Sequence, residues 1–95
     1  MKKYIVEEEA SFNGGEEFDN LSEAIYRFKK ILQDYSTYNY QINKDKIFTL
    51  SYAEYDEDKE VSCYETYDIL ATCSIADYRD MDSEDKDKLF DIKEK

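Results

Sequence analysis

The sequence predicts an α+β fold: one long amphipathic helix packed on a small antiparallel sheet of three to four strands, with a short C-terminal helix. Three observations carry this. Apolar residues recur at steps of three and four from Leu21 to Tyr35, the spacing of a helix with one buried stripe. Three segments, 3–12, 47–55 and 60–67, instead alternate with period two, as half-buried strands do. The whole chain is 95 residues, enough for one core and one domain, 1–95.

The elements follow in order. In 3–12, Tyr4, Val6, Ala10 and Phe12 share one face, and Ile5, Glu7, Glu9 and Ser11 the other, with Glu8 interrupting the apolar side. Asn13-Gly14-Gly15 breaks the strand with both glycines of the chain. Asn20 then suits a helix N-cap, with Glu23 three residues on as in a capping box. Glu16, Glu17 and Asp19 add negative charge near the positive helix end. Leu21, Ala24, Ile25, Phe28, Ile31, Leu32 and Tyr35 form the apolar stripe, and the helix is expected to end at Tyr35 to Tyr38, among the poor helix formers of 36–40.

Asn43-Lys44-Asp45-Lys46 reads as a turn. In 47–55, Phe48, Leu50 and Tyr52 oppose Ile47, Thr49, Ser51, Ala53 and Tyr55. The polar stretch 56–59 joins this run to 60–67, where Val61, Cys63 and Tyr67 oppose Ser62, Tyr64 and Thr66, an antiparallel hairpin. Residues 68–78 are ambiguous: Ile69 to Ile75 extend the strand or form a buried strand of their own, while Val61, Tyr64, Tyr67, Leu70 and Ala71 also fit a helix. A final helix from about Ser83 buries Leu89, Phe90 and Ile92.

Composition excludes several function classes. There is no His, so Ser-His-Asp triads, Cys-His pairs and His-ligated metals are out. No apolar run is long enough to span a bilayer, and the first residues run into Glu7-Glu8-Glu9, unlike a secretory signal. Cys63 and Cys73 are two cysteines ten apart, read as reduced, partly buried thiols of a cytoplasmic protein, with a disulfide between them as the alternative. The net charge is -11, from 24 acids and 13 bases. Residues 1–50 carry -2 of it and residues 51–95 carry -9. Such a field repels nucleic acid and anionic membranes and attracts basic surfaces.

Two motifs have chemical content. Asp80, Asp82 and Glu84 have the spacing that opens a calcium loop, but Asp85 stands where an EF-hand needs glycine and Asp91 where it needs a bidentate Glu. Asn13-Gly14-Gly15 is followed by Glu16-Glu17, which repels phosphate. The expectation is a chain without catalytic residues, cofactor or metal. A small regulatory domain holding a cation through 77–87 is a third-ranked alternative.

The ten tyrosines are more informative, since a core this small cannot satisfy ten buried hydroxyls. Several are expected to lie exposed beside carboxylates, a surface suited to a basic groove: aromatic rings supply contact area, and acids supply steering. The densest grouping is Tyr52, Glu54, Tyr55, Asp56, Glu57, Asp58 and Glu60, with Tyr64, Glu65, Tyr67 and Asp68 across the hairpin. Alternate strand residues repeat every ~7 Å, so a row such as Glu54, Asp56 and Asp58 spaces carboxylates much as a DNA strand spaces phosphates.

In size, in its strongly negative C-terminal half, in lacking catalytic residues and in the Tyr-with-acid runs at 52–58 and 64–68, the chain resembles small acidic inhibitors of phages and mobile elements. These include anti-CRISPR proteins and anti-restriction DNA mimics. The resemblance implies a non-catalytic inhibitor that occupies the basic nucleic-acid groove of a bacterial CRISPR effector or restriction enzyme, without binding nucleic acid or membrane itself. The alternative is a protein–protein interaction module (antitoxin, immunity protein or assembly subunit) without nucleic-acid mimicry. An exposed sheet edge makes a dimer a further expectation to test.

Overall fold

A computed structural model of the chain describes residues 2–9, 15–55 and 64–94, with the backbone alone for Tyr55, Tyr64 and Glu65. Strands β1 (Lys2–Glu8), β2 (Glu16–Phe18), β3 (Ile47–Tyr55) and β4 (Tyr64–Ser74) form one antiparallel sheet in the order β2-β1-β3-β4. Helix α1 (Leu21–Thr37) crosses one face of it, followed by the single turn α2 (Tyr40–Asn43). Helices α3 (Ile75–Asp80) and α4 (Ser83–Phe90) end the chain. The α+β architecture with one long helix is as the periodicity predicts. Among the described residues no helix is long and apolar enough to cross a membrane.

Helix α1 begins where its cap says it should. Asn20 is extended, and its side chain accepts a hydrogen bond from the Glu23 amide at 2.9 Å. The helix buries Leu21, Ala24, Phe28 and Leu32 against Tyr4, Val6, Phe48, Leu50 and Tyr52 of the sheet. It stops after Thr37: the Tyr38 amide reaches back to Asp34 O at 2.7 Å, and Asn39 takes a left-handed conformation at φ 54°. Asn43, buried in α2, donates its Nδ2 to Asn39 O and holds this corner.

Three elements differ from expectation. The acids at 16 and 17, read as charge ahead of the helix, belong to strand β2, which pairs Tyr4–Val6 with Phe18–Glu16. Gly15 passes so close to β1 that no side chain fits: a Cβ there would sit 2.6 Å from Val6 O and 2.7 Å from Glu7 Cβ. The ambiguous stretch 68–78 divides at Ser74: residues to Ser74 continue β4, and α3 starts with Ser74 as N-cap, its hydroxyl accepting from the Asp77 amide at 3.1 Å. The third difference is burial on both faces of β1 and β3. Ile5 is only 3% exposed, and Ser51 and Ala53 are fully covered, although they lie opposite the helix side. Alternation names the two faces of a strand but not how many are covered.

The calcium-like spacing at 80–84 resolves into a helix start. Asp82 is the N-cap of α4, accepting from the Asp85 amide at 2.8 Å, with Glu84 and Asp85 in the first turn. α4 has no fully buried residue and is anchored through Phe90, whose ring meets Phe28 edge-on at 5.9 Å and Tyr78 at 6.1 Å. Leu89, Phe90 and Ile92 pack against the core's rim, as the sequence suggests. Cys73 is a free thiol buried under α3 and β4 neighbours; Cys63 and Val61 lie outside the described residues. Burial pushes the Cys73 thiol up to about 11, with Asp77 adding to the effect.

Candidate functional site

The helices and the apolar cluster occupy one face of the sheet, and among the described elements no helix lies on the other. Register places Lys3, Ile5 and Glu7 of β1 beside Ala53, Ser51 and Thr49 of β3 on that open face. β4 adds Tyr67, Ile69 and Thr72 opposite Ala53, Ser51 and Thr49. Polar contacts tie the three strands together. Ser51 Oγ donates to Tyr67 Oη at 2.9 Å, and Tyr67 Oη donates to Glu7 Oε1 at 2.9 Å. Thr49 and Thr72 hydroxyls meet at 3.3 Å.

Tyr67 therefore reaches from β4 across β3 to a carboxylate on β1. Its hydroxyl lies against that of Ser51, which is fully buried although none of the described helices lies above it. Tyr67 is still 42% exposed, and Ile69 beside it is 62% exposed. Glu7, Glu8, Glu9, Thr49, Tyr67, Ile69 and Thr72 line a hollow of about 440 Å³ on this side. Glu8 is partly neutralised by Lys46 at 3.5 Å, on the far side of the strand from Glu7 and Glu9. Glu17, opposite Ile5 on β2, extends the acidic strip, while Lys3 forms an ion pair with Asp19 that holds its ammonium above the usual lysine range. The result is a face of carboxylates around an exposed tyrosine and an exposed isoleucine.

The residues expected to form the partner surface divide between the two faces. Tyr67 lies on the open face, as just described. Tyr52, expected as a contact, is buried: it is 4% exposed, its ring 5.5 Å from that of Tyr4 within the core. Its hydroxyl donates to Glu54 Oε1 at 2.5 Å, and Asp68 stands opposite it in the register. Glu54 and Asp68 thus form an acidic rim on the helix side. Tyr55 and Tyr64 pair by register, and Glu65 lies in β4, with no side chain described. Asp56, Glu57, Asp58 and Glu60 lie outside the described residues. Glu7, Glu9 and Ile69 are the face residues that sequence reasoning missed. The alternation of β1 already set Ile5, Glu7 and Glu9 on one side; nothing local said that Tyr67 would come to rest beside them.

The Tyr52–Glu54 contact makes a pH prediction. The hydrogen bond to the Glu54 carboxylate, with burial second, pushes the Tyr52 hydroxyl up to about 12. The unfolded chain ionises this group near pH 10, before the folded one does. Its stabilising contribution is therefore complete below about pH 10 and is lost as pH rises towards 12. Melting temperature is expected to fall over that window, and the fall to be shallower in Tyr52→Phe. Burial raises Tyr78 with the same sign, so part of the fall persists in the variant.

A second concavity, of about 510 Å³, lies between α1 and α4. Its charges balance, Lys29 and Lys86 against Asp34 and Asp87. Lys29 sits 5.6 Å over the Phe90 ring and Lys86 4.6 Å over Tyr78, so both serve to hold α4 in place. Among the described residues no three His, Cys, Asp or Glu side chains are arranged to hold a metal ion. Comparison of the chain with protein-family models, with curated proteins and with solved structures finds no match.

Proposed function

We propose that this chain is a non-catalytic inhibitor that docks an acidic, tyrosine-bearing surface into the basic nucleic-acid groove of a bacterial CRISPR effector or restriction nuclease. The observation that supports it best is the open sheet face, where Glu7 accepts from Tyr67, Glu9 lines the same hollow, and none of the described helices lies above them. A sheet fixes the spacing of its strands' residues, so the backbone positions that carry the carboxylates and the ring need no rearrangement on binding. The net charge of -11 steers the chain to a cationic groove and away from nucleic acid. Inhibition is stoichiometric, and its affinity falls as salt rises.

Exposed Ile69 in the middle of the same face favours a second reading, an interaction module held mainly by apolar contact. One experiment separates the two. Nuclease-treated lysates of bacteria with CRISPR and restriction systems are passed over the immobilised chain and eluted with stepped salt. A nuclease or other DNA-binding protein that is released by salt and competed by DNA is the expected result. A partner that resists salt and has no connection with nucleic acid overturns the inhibitor reading in favour of the module.

A further inference from the structure

We propose that the chain associates with a second copy of itself along the free edge of β4, giving one continuous eight-stranded antiparallel sheet. This inference stands apart from the functional reading. The two edges of the sheet are unlike. β2 closes one side with only three residues, two of them acidic. β4 closes the other with eleven, and among the described residues no strand pairs with its outer side. About half of the backbone N–H and C=O groups of an edge strand point outward and seek partners.

Edge strands that stay single are guarded by brevity, Lys, Pro, other charge or a bulge, and of these the neutral part of β4 has only a bulge, at Leu70. β4 contains neither Lys nor Pro, and from Ile69 to Ser74 it carries no charge at all, in a chain that is 39% charged. The match is with β3, whose residues Ile47 to Ala53 are also uncharged and which is paired on both sides. β4 thus has the composition of an interior strand in an edge position. A register shift between Leu50 and Ser51 leaves Leu70 as an extra residue, and Ala71 to Ser74 continue beyond it in regular pairing. Ile69 is exposed within this run.

The occupant follows from charge. Laid antiparallel on its own copy, the run sets neutral side chains against neutral side chains and leaves Asp68 outside it. A two-fold axis perpendicular to the sheet generates this contact from one patch, the commonest form of homodimer. A basic foreign strand finds no complementary charge between Ile69 and Ser74. The same axis puts both open faces, each with its Tyr67 and Glu7, on one side of the dimer.

Size and charge set the strength. The six uncharged residues Ile69 to Ser74, at about 3.3 Å each, span about 20 Å. Stable complexes bury ~800 Å² per partner, and a seam of six residues falls well short of that, so this dimer is weak and reversible. Two copies at -11 each repel one another, and salt relieves that repulsion. Dimerisation therefore strengthens with salt, the opposite sign to docking in a basic groove.

The test is sedimentation equilibrium of the full chain, from roughly micromolar to roughly millimolar protein, at low and high salt. The expected mass rises with concentration from 11.4 kDa towards twice that value, and further at high salt. Ile69→Lys with Thr72→Lys, both at exposed positions, is expected to stay monomeric and folded, with a melting temperature lowered only by the loss of the Thr49–Thr72 contact. That variant has less net repulsion than the native chain, so its failure to associate marks the edge itself. In the native chain, amide exchange is expected to slow in β4 at high concentration while β2 is unaffected. A native chain that stays at 11.4 kDa throughout, a double variant that associates as the native chain does, or exchange that slows equally in β2 and β4, overturns the proposal.

Discussion

Replacing Phe28 by alanine is expected to remove most of the stability of this domain. Phe28 is fully buried in the cluster that α1 shares with Leu50 and Val6 of the sheet, and its ring meets that of Phe90, which in turn meets Tyr78. Phe→Ala in a core costs about 3–5 kcal/mol, because the transfer energy is lost and the space is only partly refilled. Small domains have only about 5–15 kcal/mol in total. The substitution also removes the ring on which Phe90 rests, so α4 loses its main anchor. At about 4 °C or more per kcal/mol for a chain of this size, the melting temperature is expected to fall by more than about 12 °C. Tyr26→Ala is the control on the same helix: Tyr26 is 69% exposed and its removal is expected to change stability by less than about 0.5 kcal/mol. Equal losses for the two variants would contradict the packing of α1 on the sheet.

The second large effect is on binding. Reversing Glu7 and Glu9 to lysine places two cations where the proposed partner has its own, and shifts the net charge from -11 to -7. Affinity for the captured nuclease is expected to drop by roughly tenfold or more, since like charges brought together across an interface cost several kcal/mol. The salt dependence is expected to become shallower at the same time. Glu84→Lys with Asp87→Lys on α4 makes the same change in net charge on the other side of the molecule. It is expected to leave affinity nearly intact. If both double variants lose affinity equally, attraction depends on total charge and the sheet face has no special part. Tyr67→Phe removes the hydroxyl between Ser51 and Glu7 while keeping the ring, and is expected to cost about 1 kcal/mol of stability.

Helix α1 and strand β3 were legible because their signals are local. A 3.6-residue stripe from Leu21 to Tyr35, an Asn cap and a two-residue alternation over 47–55 each lie within one stretch of chain, and they decide the α+β class unaided. The concentration of acids, the absence of histidine and the surplus of tyrosine are likewise properties of the chain itself.

What tertiary structure alone decided is non-local. β2 is three residues long, too short to show a period, and exists because Gly15 lets it return against β1. Residues 68–78 suited either state until pairing with β3 extended the strand to Ser74. Tyr52 and Tyr67 look alike in sequence, each in an alternating run beside acids. One is buried because its face meets α1, and the other is exposed because its face meets no helix. The candidate site joins Glu7 to Tyr67, sixty residues apart, through a register of three strands. Periodicity states which residues share a face of one strand. Only the pairing of strands, set by long-range packing, states which faces become one surface.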